Sequence, residues 1–318
     1  GYAALGANTT AGNNVAVGYE TLKLNTTGSN NTALGYQALE ANTTGHSNVA
    51  VGTNALIANT EGTQNVAVGR IALDANTTAS YNTAVGYATL TANTTGASNV
   101  AMGRNALLSN TTGYSNVAVG VSSLGANVGG IRNTALGGSA LLANTSGNSN
   151  VAVGYTSLAA NTEGTNNVAS GYQSLLVNTT GDNNVSIGSL SLKANTTADS
   201  NTAVGYAALT ADTDGFNNTA VGRDAGGAVT TGDNNSFLGH DAGITGSPGG
   251  AITTADNQMC LGDENIANAH IQVDWTVASD KRDKTEVTPL VMGLDFINKL
   301  EPVTYRWDKR SKYSKDQD

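Results

Sequence analysis

The chain has 318 residues, of which 39 are glycine, 5% are aromatic and 12% are charged, where roughly a quarter is the usual charged share. This composition excludes the core of an ordinary globular enzyme, and the plentiful leucine, valine and alanine exclude simple disorder. The net charge of −9 argues against nucleic acid and anionic membranes as partners. The sequence contains no run of about 18 apolar residues, the pattern that predicts a membrane-spanning helix.

A 17-residue repeat organises residues 1–239. Its consensus reads N-V-A-V-G-Y-x-A-L-x-A-N-T-T-G-x-x, and glycine recurs at this spacing fourteen times, from Gly18 to Gly239, without insertion. Seventeen residues are too few for a helical repeat, and glycine, asparagine and threonine form helices poorly. The repeat therefore predicts an all-β protein, a single-coil β-solenoid in which each unit is one coil. Because the chain begins within a repeat, at Gly1, we expect further coils or domains before it.

Each unit divides into three predicted parts. The first strand places Val15 and Val17 on one face and Ala16 on the other. A second extended stretch is predicted over 19–24, and the turn 25–28 closes the coil. Asparagines recur four residues before every glycine and in a second series from Asn8, which indicates stacked amide ladders. Their N-x-T triplets also read as glycosylation acceptors, but the repeat itself accounts for them.

Both faces of the predicted strand are apolar or small. The position of Ala16 is alanine in twelve of fourteen copies, with Ser186 and Phe237 as exceptions, and the opposite face holds mainly valine, leucine, isoleucine or threonine. A single tube buries only one face, so the other needs a cover. We expect a second copy of the chain, packed closely because alanine permits it. Periodicity alone leaves two or three chains open; three is the natural number for a rod.

The spacing breaks in residues 240–278, which we interpret as a capping and transition region. The next strand-like match, at 259–262, lies 23 residues after its predecessor, and it is followed by a candidate cap strand at 271–275. Cys260 takes a core alanine position, so we expect a buried, inert thiol. His46, His240 and His270 suggest no metal site by their spacing. An acidic turn such as 232–234 leaves calcium open.

Residues 279–318 form a different module, a short α+β segment. They hold nine Lys or Arg and eight Asp or Glu among 40 residues. Thr288 and Pro289 predict a helix start, and an apolar stripe at helical spacing follows over 290–300. Residues 303–307 alternate as a strand. We expect the stripe to pack on the cap or on its copies in neighbouring chains.

The repeat units resemble a known family of coils. N-V-A-V-G and N-T-A-L-G are similar to the head repeats of trimeric autotransporter adhesins, and similar units occur in phage tail fibres. The resemblance covers roughly residues 1–262 and implies a homotrimeric fibre. The coil here is longer than the adhesin unit.

The C-terminal module resembles another family. The S-D-x-R-x-K pattern at 279–284, with a helix and the P-V-x-Y-R-W segment behind it, is similar to the start of the endosialidase-type intramolecular chaperone of phage tail spikes. The resemblance implies a module that assembles three chains and in many members cuts itself off. It implies Ser279 as nucleophile and Lys284 as base, cleaving between Ala278 and Ser279. From the residues alone, Ser279 reads as a turn or cap and Lys284 as part of a solvated face.

Together these features predict a structural phage tail fibre located on the virion tail, outside the host cell. Its expected partners are its own copies, other tail proteins and a host cell-surface receptor, for which a glycan is a candidate. No cofactor or metal is expected. The alternatives are a bacterial trimeric surface adhesin and a glycan-cleaving enzyme, although Asp74, Glu163 and Asp182 do not recur as an acid and base pair.

Overall fold

The computed structural model describes residues 1–247 and 249–268, which build a single parallel β-solenoid. Its fifteen strands follow one another in one sheet in chain order, and each has three residues. The predicted all-β solenoid with a 17-residue repeat is therefore confirmed within these residues. The strands β1 to β15 are Val15–Val17, Thr32–Leu34, Val49–Val51, Val66–Val68, Thr83–Val85, Val100–Met102, Val117–Val119, Thr134–Leu136, Val151–Val153, Val168–Ser170, Val185–Ile187, Thr202–Val204, Thr219–Val221, Ser236–Leu238 and Met259–Leu261.

The register of the sheet is the 17-residue period itself. Ala16 pairs with Ala33, and every later strand up to β14 repeats this step, so equivalent residues stack directly on one another. Between β14 and β15 the step is 23 residues, and Phe237 pairs with Cys260. The longer coil thus joins the same sheet in the same register, because its extra residues lie outside the paired segment.

The segment after each corner glycine is not the extended stretch that we predicted. In residues 19–24, Glu20 and Leu22 have φ values of 52° and 51°, and the equivalent residues of later coils share this left-handed conformation. A strand turns only one of two consecutive side chains inward, whereas here Thr21 and Leu22 are both fully buried. The prediction was wrong because left-handed residues alternate with residues of negative φ in this segment. This alternation bends the chain tightly, so that two consecutive side chains can both point into the interior.

The core is a narrow column of small side chains. The central residue of each strand from Ala33 to Cys260 points inward and is buried, and it meets the leucine ladder that runs from Leu22 to Leu209. The alanine face is therefore the inner face of the coil. Our expectation that alanine would allow close packing of a second chain was wrong, since the outward face carries the valines and threonines instead.

Two asparagine ladders line this column, as predicted, and they bond differently. In one ladder, Asn42 Nδ2 donates to Asn25 Oδ1 at 2.8 Å and to the carbonyl of Gly45 at 2.9 Å. In the other, Asn31 Nδ2 donates to the Gly45 carbonyl at 2.9 Å, and Asn31 Oδ1 accepts the backbone N–H of Asn48 at 3.0 Å. Both ladders satisfy buried backbone groups in a coil that has few regular strand bonds.

The glycine at each corner is required by its conformation. Gly120 has a φ of 136°, and a Cβ placed on it would lie 2.5 Å from the carbonyl oxygen of Gly137. The corner therefore admits no side chain, because the next coil passes too closely.

Candidate functional surfaces

The outer sheet face consists of the first and third residues of strands β1 to β15. All of these residues are aliphatic, methionine, serine or threonine, so no charge interrupts the face. Val17 is 54% exposed and Leu34 is 47% exposed, and Val85, Val119 and Val153 are 37% exposed each. At about 4.8 Å for each strand, the face runs for roughly 70 Å. An exposed, largely apolar strip of this length is typical of interaction surfaces.

The corner beside the outer sheet face carries aromatic side chains in several coils. The rings of Tyr19 and Tyr36 stack at 5.1 Å between centroids with an angle of 6° between planes, and Tyr2 continues the stack at 5.3 Å. Tyr155 and Tyr172 form a looser pair at 6.2 Å. Because neighbouring rings cover each other's faces, an interior ring of a stack presents its edge to solvent.

The structure brings together a titratable cluster around His240 that the sequence analysis missed. His240 Nδ1 lies 3.3 Å from Asp263 Oδ2 and 3.4 Å from Asp241 Oδ2. Hydrogen bonds from the Asn265 side chain and backbone, with a smaller contribution from His240, lower the pKa of Asp263. The signal was present in the sequence, since residues 240 and 263 both follow a corner glycine and the 23-residue coil aligns them. These contacts form a surface cluster of one imidazole and two carboxylates, in which the His240 side chain is half-exposed.

The acidic turn residues have structural partners. Asp182 Oδ1 accepts the backbone N–H of Thr165, and Asp199 Oδ1 accepts that of Asp182, both at 2.6 Å. Asp233, which we considered for calcium, accepts from Phe216 N at 3.0 Å in the same way. These carboxylates tie one coil to the previous one.

Several sequence predictions fall on residues beyond those that the structure describes. These are Ser279 and Lys284, the Ala278–Ser279 bond, the candidate cap strand at 271–275, and the helix and strand predicted within 288–307. Cys260 is described, and it is 3% exposed as predicted, with Sγ 3.7 Å from the Gly262 carbonyl oxygen. Within residues 1–247 and 249–268, no helix has the length and apolar character to cross a bilayer.

Comparison with protein families finds one match. Residues 279–318 are similar to the family described as "Chaperone of endosialidase". No curated protein and no solved structure gives a significant match to the chain. The match begins at Ser279, where the composition changes, and it supports the interpretation of this segment as an intramolecular chaperone. With the β-solenoid before it, the chain has the make-up of a fibre-like protein.

Proposed function

We propose that this chain forms the shaft of a homotrimeric phage tail fibre, and that residues 279–318 begin the module that assembles it. The observation that carries the proposal is the outer sheet face. A strip of uncharged side chains about 70 Å long is stabilised when another surface shields it from water. A second copy of the chain offers an equally long strip with the same 17-residue step. Three chains can each turn this face toward a common axis.

The chaperone match favours a tail fibre over the alternative of a bacterial surface adhesin. The matched segment follows the solenoid in the sequence, which is the order expected of a shaft and its assembly module. A narrow shaft without a large core is suited to mechanical reach. Contact with the host receptor, a glycan among the candidates, and with other tail proteins would then use exposed loops or other parts of the fibre.

Charge on the outer sheet face tests the trimer. Val85→Glu, Val119→Glu and Val153→Glu together place three carboxylates on alternate strands β5, β7 and β9. The matched control is Thr78→Glu, Thr112→Glu and Ser146→Glu, at exposed turn positions of the same region where Glu61 and Glu163 stand in other coils. In native mass spectrometry, we expect a trimer for the unchanged chain and the control, and loss of the trimer for the valine variant. A monomeric unchanged chain, or a trimeric valine variant, contradicts the proposal.

Self-cleavage is a separate part of the proposal and rests on the chaperone match. Ser279 Oγ would add to the Ala278 carbonyl carbon while Lys284 accepts its proton. The C–N bond then breaks, the Ser279 nitrogen takes a proton, and water hydrolyses the ester to leave a free Ala278 carboxylate. The chain mass of the full-length protein tests this step. We expect a chain that ends at Ala278, and intact chains for Ser279→Ala and Lys284→Ala; an intact unchanged chain contradicts cleavage but leaves the fibre proposal standing.

A further inference from the structure

One ladder of asparagines ends in a carboxyl group. The ladder that begins at Asn8 runs without exception to Asn195, but the next rung is Asp212 and the one after it is Val229. Asp212 and Val229 are both fully buried. The repeat thus places an acid where every earlier coil has an amide, and an apolar side chain where the acid would find its next partner.

The substitution leaves an acceptor of the ladder without a donor. In every regular step, the amide nitrogen of one rung donates to Oδ1 of the previous rung, as Asn195 Nδ2 does to Asn178 Oδ1 at 2.9 Å. Asp212 has no amide nitrogen, and Asn195 Oδ1 is buried without a hydrogen-bond partner among the described residues. An unpaired buried acceptor costs free energy, so the ladder lacks one hydrogen atom at this step.

The orientation of Asp212 shows which oxygen stands at the missing donor position. A Cβ placed on Gly215 would lie 2.7 Å from Asp212 Oδ1, just as a Cβ on Gly28 would from Asn25 Oδ1. Asp212 Oδ1 therefore occupies the usual Oδ1 position, where it accepts Gly215 N at 2.9 Å. By elimination Oδ2 takes the place of the amide nitrogen, which faces Oδ1 of the previous rung in the other coils.

We propose that Asp212 is held as a neutral carboxylic acid whose Oδ2 hydroxyl donates to Asn195 Oδ1, and that ionisation of this acid opens the shaft between these two coils. The proton replaces the amide donation to the previous rung, while the Gly215 carbonyl keeps its donor from the other ladder, Asn201 Nδ2 at 2.7 Å. When it leaves, a carboxylate oxygen and the Asn195 carbonyl oxygen face each other inside the coil, and both are acceptors.

The surroundings favour the neutral form. Burial raises the pKa of Asp212 from 3.8 to about 7, against the hydrogen bonds from Gly215 N–H and the Asn218 amide, which lower it. The Asn218 bond to Oδ2 is long, at 3.3 Å. Asp233, on the following coil, and Asp214, on the same turn, raise the pKa further by charge repulsion. At this ladder position the neighbouring coils contribute the neutral Asn195 and Val229.

Infrared difference spectra of the full chain against Asp212→Asn test the proposal directly. Asparagine is the residue that the repeat has at this position, so the variant supplies the amide donor. We expect the unchanged chain to show a carboxylic-acid C=O band at pH 5.5 that fades with a midpoint near pH 7, and we expect no such band from the variant. A midpoint in the ordinary aspartate range near pH 4, or no band specific to Asp212, overturns the proposal.

Thermal unfolding provides a second readout that does not depend on assigning a band. The unchanged chain should lose thermal stability between about pH 4 and pH 7, the unfolded and folded pKa values of Asp212, and Asp212→Asn should remove most of that loss. Asp214→Asn is the matched control, because it removes an exposed carboxylate from the same turn and should leave most of the pH dependence in place. Parallel stability curves for the unchanged chain and Asp212→Asn contradict the opening of the shaft on ionisation.

Discussion

Phe237 occupies the space that Gly226 leaves at a leucine position of the repeat. Phe237 is 1% exposed and replaces a core alanine, while Gly226 and Gly243 stand at the position that is leucine in every coil from Leu22 to Leu209. A Cβ on Gly226 would lie 2.7 Å from Phe237 Cδ2. The ring of Phe237 thus fills space that two missing side chains leave in the column.

This balance predicts a coupled pair of substitutions. Phe237→Ala opens a cavity and should destabilise the chain by about 3–5 kcal/mol, and Gly226→Leu alone should destabilise it through a clash with the ring. The double variant restores the repeat consensus at both positions and should be more stable than either single variant. Denaturant unfolding of the four proteins measures the coupling; additive effects would show that the two residues do not share the space.

The buried amide ladder predicts a large loss of folding stability when Asn116 is replaced. Its Nδ2 donates to the Gly130 carbonyl at 2.8 Å, and its Oδ1 accepts Asn133 N at 2.9 Å. Asn116→Leu leaves the Asn133 N–H buried and unpaired, at roughly 1–3 kcal/mol. The Gly130 carbonyl keeps one of its two donors, Asn127 Nδ2 at 3.0 Å. Asn105→Ser is the control in the same coil, since serine stands at that position in the next coil. Equal melting temperatures for the two variants would argue against a structural ladder.

The corner conformation predicts that Gly120 and Gly129 respond differently to alanine. Gly120→Ala forces a Cβ into a φ of 136° and against the Gly137 carbonyl. We expect a loss of folding stability on the order of 1–3 kcal/mol from backbone strain alone. Gly129 is exposed, and threonine stands at its position in most other coils, so Gly129→Ala should be neutral or slightly stabilising. Thermal unfolding distinguishes them, and a tolerant Gly120 would mean that the corner can relax.

The pH dependence of the shaft follows from the sign of the Asp212 shift. Its pKa is raised on folding, so the folded chain holds this proton to higher pH than the unfolded chain. Its stabilising effect is complete below pH 3.8 and is lost as the pH rises to about 7, with a steepest slope of roughly 1.4 kcal/mol for each pH unit.

Val229→Asn should move this transition to lower pH. The new amide would stand one coil below Asp212 in the ladder register and would donate to the carboxylate, which favours the charged form. Val229→Ile keeps the position apolar and should leave the midpoint unchanged. The midpoint of stability against pH measures both variants, and an identical midpoint for Val229→Asn would show that the ladder does not continue through residue 229.

The sequence was sufficient to predict the β-solenoid because the same 17-residue period sets the length of a coil and the register between neighbouring strands. Stacked equivalents such as Ala16 and Ala33 follow directly from a 17-residue step without insertions. The alternating handedness at Glu20 and Leu22 was not predictable from alternation of polarity, since it depends on closing a narrow coil. The cluster at His240 depends on how a 23-residue coil rejoins the sheet, and the trimer proposed for the outer sheet face is a property of several chains together.

The uninterrupted register makes the length of the shaft a discrete variable. Asn48 and Asn150 lie six coils apart in equivalent surroundings, so removing any whole number of 17-residue units between them rejoins matching rungs. Removing any other number of residues breaks this register, so that equivalent positions of neighbouring coils no longer stack on one another. Gain or loss of whole repeat units in the encoding sequence can therefore lengthen or shorten the shaft in steps of about 4.8 Å. The contacts between coils at the new junction are the same as those between any two neighbouring coils.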